Sequence, residues 1–243
     1  MNGIKRMAYN LGHKLRLTIA FSEHIFPLVN SLNDIEKKRA AAFRLEHLRE
    51  QYTFAHAFKR EMLSYYYPLK KAPKWRFEHT LSGKPFINEN IAFNLSHSIS
   101  SVVIALVDSS DKNAIGVDME CFRDMADLES MIEIVCHPDE RQHLNLCENR
   151  NKGFFTIWTA KEALLKACGS GLINDLSSIN CLPSLLSDQC YLLRWQGKQY
   201  SLKSFSFDWG VITLAWSTDL SVSNIQLANW TSGVPEPSNL RLE

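Results

Sequence analysis

Two carboxylates stand two residues apart in the stretch AIGVDME, Ala114 to Glu120: Asp118 and Glu120. Alternation of apolar and polar residues predicts a strand there, so both side chains project from one face. At about 3.3 Å per residue their Cβ atoms lie roughly 6 to 7 Å apart. With an effective dielectric of about 20, two like charges at that distance repel by about 2 to 3 kcal/mol. Either water screens the pair or a cation sits between them. A third acid, Glu162, occurs in KGFFTIWTAKEALLKAC, Lys152 to Cys168, four residues before Lys166 and therefore on the same helix face. Taken alone, that spacing is an ordinary helix ion pair worth a few tenths of a kcal/mol.

Other residues add a different chemistry. NLSHS places Asn94, Ser96, His97 and Ser98 at a strand end, where hydroxyls and an imidazole suit an anion. The plain alternative is a polar turn with a satisfied histidine. No G-x-S-x-G is present, which argues against a serine hydrolase. SGKP, Ser82 to Pro85, puts Lys84 in a turn but lacks the spacing of a phosphate-cradling Walker A loop. The collected groups are three acids (Asp118, Glu120, Glu162), three cations (Lys84, Lys161, Lys166) and a hydroxyl and imidazole turn. That is the donor set of a magnesium-dependent phosphate site, because Mg²⁺ takes hard oxygen ligands and bridges carboxylates to phosphate oxygens.

The elements that must position these groups follow from periodicity. LRLTIAF, Leu15 to Phe21, predicts a strand. Asn33 with Glu36 forms a capping box for helical sequence running to about Tyr65, with a break expected near Glu46 to Arg49. WRFEH reads as a short strand. IAFNLSHS, SVVIALVD and the strand of AIGVDME are expected to form an antiparallel meander. Acidic helical segments follow around ADLESMIEIV and HPDERQHLNL, then the strong helix from Lys152 to Cys168, ended by GSG. CYLLRWQ, YSLKSFSF and VITLAWS close the pattern as strands. Strand, helices and strands thus occur twice, which predicts two similar α/β subdomains joined near residues 110 to 120.

Composition narrows the class. The chain has 243 residues, 45% hydrophobic and 22% charged, enough for one large domain or two small ones. Six cysteines without a C-x-x-C pair indicate neither a zinc site nor a disulfide framework, and they are read as reduced cytosolic thiols. Lys5 and Arg6 are not followed by an apolar run long enough for a secretory leader, no run approaches a transmembrane length, and Leu242 and Glu243 are given no weight. The net charge of +1 hides a separation: residues 37–76 hold 11 Lys/Arg against 3 Asp/Glu, and residues 108–148 hold 3 against 11. Solvated faces explain such runs most simply; an anionic ligand at the basic part and a metal or basic partner at the acidic part are the sharper reading.

Together the motifs resemble a known family. GVDME is similar to the signature G-[IV]-D-x-E, and FTIWTAKEALLKACGSGL is similar to W-[ST]-x-K-E-[AS]-x-x-K-x-x-G-x-G-L. GKP followed by FNLSHS resembles the preceding block of the 4′-phosphopantetheinyl transferases, specifically the large surfactin-synthetase-activating type. The likeness is good from Ser82 to Leu172, loose over the N-terminal helix, and only a matter of pattern in the C-terminal strands. It implies an α/β fold of two pseudo-symmetric subdomains, each an antiparallel sheet packed with helices: 1–113 on the coenzyme A side and 114–243 carrying the acids. It also implies a cytoplasmic monomer with coenzyme A and Mg²⁺ between the halves, without nucleic-acid or membrane partners. Such an enzyme moves the 4′-phosphopantetheine arm to a serine of an apo acyl, polyketide or peptidyl carrier protein and releases 3′,5′-adenosine bisphosphate.

Position by position, the resemblance implies that Asp118, Glu120 and Glu162 hold the metal, and that Lys84, Ser96, His97, Lys161 and Lys166 contact coenzyme A. Glu162 and Lys166 are the expected catalytic pair. Met119, between two of the acids, adds no ligand, so a water is expected to complete the metal shell. Arg39, Arg44, Arg49 and the Gln51 region carry no assignment. The small holo-acyl-carrier-protein synthase type, a trimer of single halves, does not resemble a chain of this length. The alternatives are a non-catalytic coenzyme A or carrier-binding module of the same fold, and a magnesium-dependent phosphohydrolase.

Overall fold

Alternating apolar residues build β1 (His13–Phe21), in which Leu15, Leu17 and Ile19 are buried. The computed structural model describes residues 13–21, 28–68, 70–99, 101–171, 173–231 and 234–237. Lys5, Arg6, Leu172, Leu242 and Glu243 lie outside the described residues. Two helices follow, α1 (Asp34–Ala41) and α2 (Glu46–Tyr66). The capping box forms: the Asn33 side chain accepts from the Glu36 amide, and the Glu36 carboxylate accepts from the Asn33 amide. The break falls at residues 42–45, earlier than expected. Leu45 is extended (φ −92°, ψ 127°), and Glu46 opens α2, where an acid complements the positive helix end.

β2 (Glu78–His79) and β3 (Pro85–Phe86) flank the SGKP turn, so only the end of WRFEH is strand. β4 (Ile91–Ser98) and β5 (Ser101–Asp108) form an antiparallel hairpin, and β1 pairs with β5. The expected meander stops there. β6 (Ile115–Cys121) does not pair with β5 by backbone; it pairs with β9 (Gly210–Ser217). Between them come α3 (Leu128–Val135), α4 (Pro138–Leu144), α5 (Arg150–Cys168), α6 (Pro183–Leu186), β7 (Tyr191–Trp195) and β8 (Lys198–Ser206). The second sheet has the order β6-β9-β8-β7.

The same topology is therefore used twice. In each repeat a strand is followed by helices and then a hairpin, and the first strand pairs with the last strand of that hairpin: β1-β5-β4 and β6-β9-β8. Sheet pairing does not follow the expected division at 113/114. β10 (Val222–Thr231) and β11 (Val234–Pro237) return to the first sheet, β10 lying parallel to β1. Their side chains explain the return: Leu227 is buried between the sheets, and the Trp230 ring meets Phe58 of α2 edge-on at 6.0 Å.

Four layers result. Phe58, Met62 and Leu63 of α2 pack on Phe93, Val102 and Ile104 of the first sheet. The opposite face of that sheet meets Ile115, Val117, Met119 and Leu214 of the second. Ala160, Ala163 and Leu164 of α5 cover the second sheet's outer face against Leu202 and Ala215. Each large side chain so buried contributes about 1.5–3 kcal/mol. Six free cysteines are described, and no helix among the described residues is long and apolar enough to cross a membrane.

Glu36 also clamps α1 to α2. Its carboxylate takes Arg60 Nε at 2.5 Å and His56 Nδ1 at 3.1 Å, and the Arg60 guanidinium donates onward to the carbonyls of Ala72 and Trp75. Burial alone would raise this carboxyl; the bonds from His56 and Arg60 and the charges of Arg60 and Lys59 more than offset it and hold it at about 2. Its stabilisation is thus present above the ordinary value of 4.5 and lost as pH falls towards 2. Glu36→Gln is expected to destabilise the protein at neutral pH, with the gap from the parent in urea unfolding narrowing from pH 4.5 downward; a gap that stays constant to pH 3 would contradict the clamp.

Candidate active site

β6 gives one edge to β9, and its other edge carries the amides of Val117, Met119 and Cys121. β4 meets that edge with side chains. Asn94 Oδ1 accepts from Val117 N at 2.8 Å, Ser96 Oγ from Met119 N at 3.4 Å, and Ser98 Oγ from Cys121 N at 3.2 Å. Three alternate residues of one strand serve three alternate amides of the other. The two hydroxyls then donate to the acids in between: Ser96 to Asp118 Oδ1 at 2.7 Å, and Ser98 to Glu120 Oε2 at 2.8 Å. Reading NLSHS as an anion-binding turn misses this junction, whose signal is the shared period of two in N-x-S-x-S and V-x-M-x-C.

α5 lies directly over the acid-bearing face of β6. At Gly116 a Cβ would overlap the Ala163 carbonyl oxygen and the Ala167 amide, so only glycine allows this approach. The helix ends at Gly169 in the left-handed region (φ 70°), its amide closing on the Leu165 carbonyl. That seating delivers Lys166: its Nζ lies 2.6 Å from Asp118 Oδ1, 3.2 Å from Ser96 Oγ and 3.2 Å from the Val117 carbonyl. Asp118 is 6% exposed, and its Oδ2 is buried without a partner. Burial raises its carboxyl against the pull of Lys166 and Ser96. Glu162 is half-buried, and burial followed by the charge of Asp118 raises its carboxyl too. Glu120 Oε2 also takes Arg123 at 2.8 Å.

A cavity of about 300 Å³ opens beside this group, lined by Ser82, Lys84, Asn94, Glu162, Lys166 and Gly169 among others. Lys84 is 8% exposed and donates to the carbonyls of Ile115 (2.8 Å) and Lys166 (2.7 Å). Its ammonium, pushed down to about 8 by burial, thus caps the end of α5 and is already committed to two carbonyls. The His97 ring of β4, exposed at its outer part, sits 3.3 Å from Gln51 Nε2 of α2, a neighbour that sequence reading left unassigned. Burial of its ring and then the charge of Lys166 lower its pKa.

Lys161 lies elsewhere. It is fully buried, and its Nζ contacts Glu140 at 2.7 Å and the carbonyls of Val135 and Leu176 at 2.6 and 3.1 Å. This corrects the expectation that it contacts coenzyme A. Lys161 and Lys166 are five residues apart, roughly 140° around the helix, so one face cannot present both. The structure brings Asp118, Ser96 and Lys166 into direct contact, sets Glu162 and Lys84 on the same cavity, and ties Glu120 in through Ser98.

Residues 114–231 match the sequence profile of the 4′-phosphopantetheinyl transferase superfamily. That match spans a little under half of the chain and shows what this segment is similar to. The transferase HetI of a Nostoc species is 33% identical over 152 residues, 60% of this chain and 62% of that protein. AcpT of Salmonella typhimurium is 33% identical over 45% of this chain and 58% of its own length. The transferase gsp of Aneurinibacillus migulanus is 33% identical over 40% of this chain and 39% of its own length. The chain therefore spans less than two thirds of each of these curated relatives. The segment this superfamily profile covers begins at the residue before β6 and includes all three acids.

A divalent cation suits these residues. Three carboxylates are hard donors, Asp118 Oδ2 is buried without a partner, and the Glu162 carboxyl is raised by burial first and then by the charge of Asp118. Among the described residues, however, no three His, Cys, Asp or Glu side chains converge as a ready metal cluster. Asp118 leans on Lys166 and Glu120 leans on Arg123.

The seating of α5 is open to a direct test. Gly116→Ala is expected to cost about 1–3 kcal/mol or more, because backbone must move to admit the methyl group. A melting temperature equal to the parent's would show that the helix does not rest on this strand.

Proposed function

We propose that the protein transfers the 4′-phosphopantetheine arm of coenzyme A to a serine hydroxyl of an apo carrier protein, with Mg²⁺, as a cytoplasmic monomer of the large surfactin-synthetase-activating type. The observation that carries this reading is the cavity between the SGKP turn, β4 and the C-terminal half of α5, with Glu162 and Lys166 in its wall. The match of residues 114–231 to the 4′-phosphopantetheinyl transferase superfamily and the transferase names of the relatives support it.

In this reading Asp118, Glu120 and Glu162 hold Mg²⁺, which supplies charge neutralisation at the diphosphate of coenzyme A. Everything else falls to the chain itself. The serine oxygen forms a bond to the β-phosphorus while the bond to 3′,5′-adenosine bisphosphate breaks. Lys166, fixed by Asp118 and Ser96, offsets charge on the departing phosphate. Glu162 takes the serine proton, and its raised carboxyl is better matched to that task than an ordinary glutamate. His97, beside Gln51 of α2, is proposed to meet the coenzyme's phosphates with its imidazole. Lys84 contributes by holding the end of α5 in place. The exposed Lys37, Lys38, Arg39 and Arg44 make this segment basic, which suits an acidic carrier surface or the coenzyme's 3′-phosphate.

Incubation with coenzyme A, Mg²⁺ and an apo carrier protein, followed by mass spectrometry, tests the reading. A mass gain on the carrier is expected; free phosphate or no change would point to a hydrolase or a binding module. Glu162→Gln is expected to slow transfer by roughly 10² to 10⁴-fold. A Glu162→Gln rate equal to the parent's would remove Glu162 from the role.

A further inference from the structure

The two acids on β6 are held in the same way. Asp118 uses one oxygen, Oδ1, for both Ser96 and Lys166; Glu120 uses one oxygen, Oε2, for both Ser98 and Arg123. The two cations differ in how firmly they are fixed. Lys166 shares three acceptors under the body of α5, with 29% of its side chain exposed. Arg123 follows β6 directly and has 45% of its side chain exposed. Among the described residues it otherwise reaches the Cys121 carbonyl at 3.3 Å and the face of the Phe155 ring at 4.8 Å.

We propose that Arg123 is a built-in counter-ion that competes with a divalent cation for Glu120, and so sets the cation concentration at which the site fills. The proposal rests on the metal reading of Asp118, Glu120 and Glu162 given above. An unreleased Arg123 keeps a positive charge on one of three acids a dication must share, which opposes binding. Because the pair is half exposed, a dication can displace it at modest cost. Phe155 then gives the released guanidinium a place to rest without leaving the site. Lys152, the neighbouring cation, rests on the Phe122 ring at 5.1 Å and makes no ion pair with an acid among the described residues, so it serves as a control for simple loss of surface charge.

The test titrates Mn²⁺ alone, read as loss of the free-ion electron paramagnetic resonance signal, with Mg²⁺ calorimetry at matched ionic strength. Arg123→Gln is expected to bind either ion about two- to fivefold more tightly than the parent, the range an exposed ion pair spans. Arg123→Lys should stay near the parent, and Lys152→Gln should change by less than twofold. A merely structural arginine would not tighten binding when removed. Equal or weaker binding by Arg123→Gln, with Asp118→Ala and Glu162→Gln losing the ion, overturns the counter-ion and leaves the metal reading standing. Binding by Asp118→Ala and Glu162→Gln at the parent's affinity overturns the metal reading, and the counter-ion falls with it.

Discussion

Three amides on the outer edge of β6 need acceptors, and among the described residues no neighbouring strand supplies them through its backbone. Asn94, Ser96 and Ser98 do so with side chains. Leaving such a buried group unpaired costs about 1–3 kcal/mol, so the junction is a condition for joining the two repeats. It also does chemical work. The hydroxyls that accept from Met119 and Cys121 donate to Asp118 and Glu120, which fixes the acids by the same contacts that fix the sheets. Fold and site are therefore one arrangement: slipping β4 against β6 by one residue would lose both the amide partners and the acids' donors.

The buried charges make sense only in that light. Removing Asp118 from water costs several kcal/mol, and a close pair with the partly exposed Lys166 repays this incompletely. Asp118 even keeps one oxygen without a partner. An apolar pair would pack there with less penalty, so stability alone does not account for the acid and the lysine. Lys161 is the contrast. Paired with Glu140 and with two carbonyls accepting from it, it ties α5 to α4 and the loop after α5 and faces no cavity residue. Two lysines of one motif thus divide between scaffold and site.

Much of this was legible in residues near one another. The capping box of α1, the hairpin of β4 and β5, the glycine stop of α5 and the shared face of Asp118 and Glu120 all follow from local periods and turn chemistry. What was not legible depends on contacts far apart in the chain. β6 leaves its expected neighbours because its backbone edge is taken by a strand about a hundred residues later, and β10 crosses back to pair with β1. Lys84 looked like a free cation in a turn, yet the carbonyls that engage it belong to β6 and α5. The burial of Lys161 could have been read from its angle to Lys166, since five residues do not share a helix face.

Amide hydrogen exchange across β6 tests the junction most directly. The account predicts that the amides of Val117, Met119 and Cys121 exchange as slowly as those of the central strands, and that Ser98→Ala releases Cys121 first while Val117 stays protected. Fast exchange of all three in the parent protein, at the rate of exposed loop amides, would contradict it: β4 would then not hold β6, and the acids would lack the support on which the site depends.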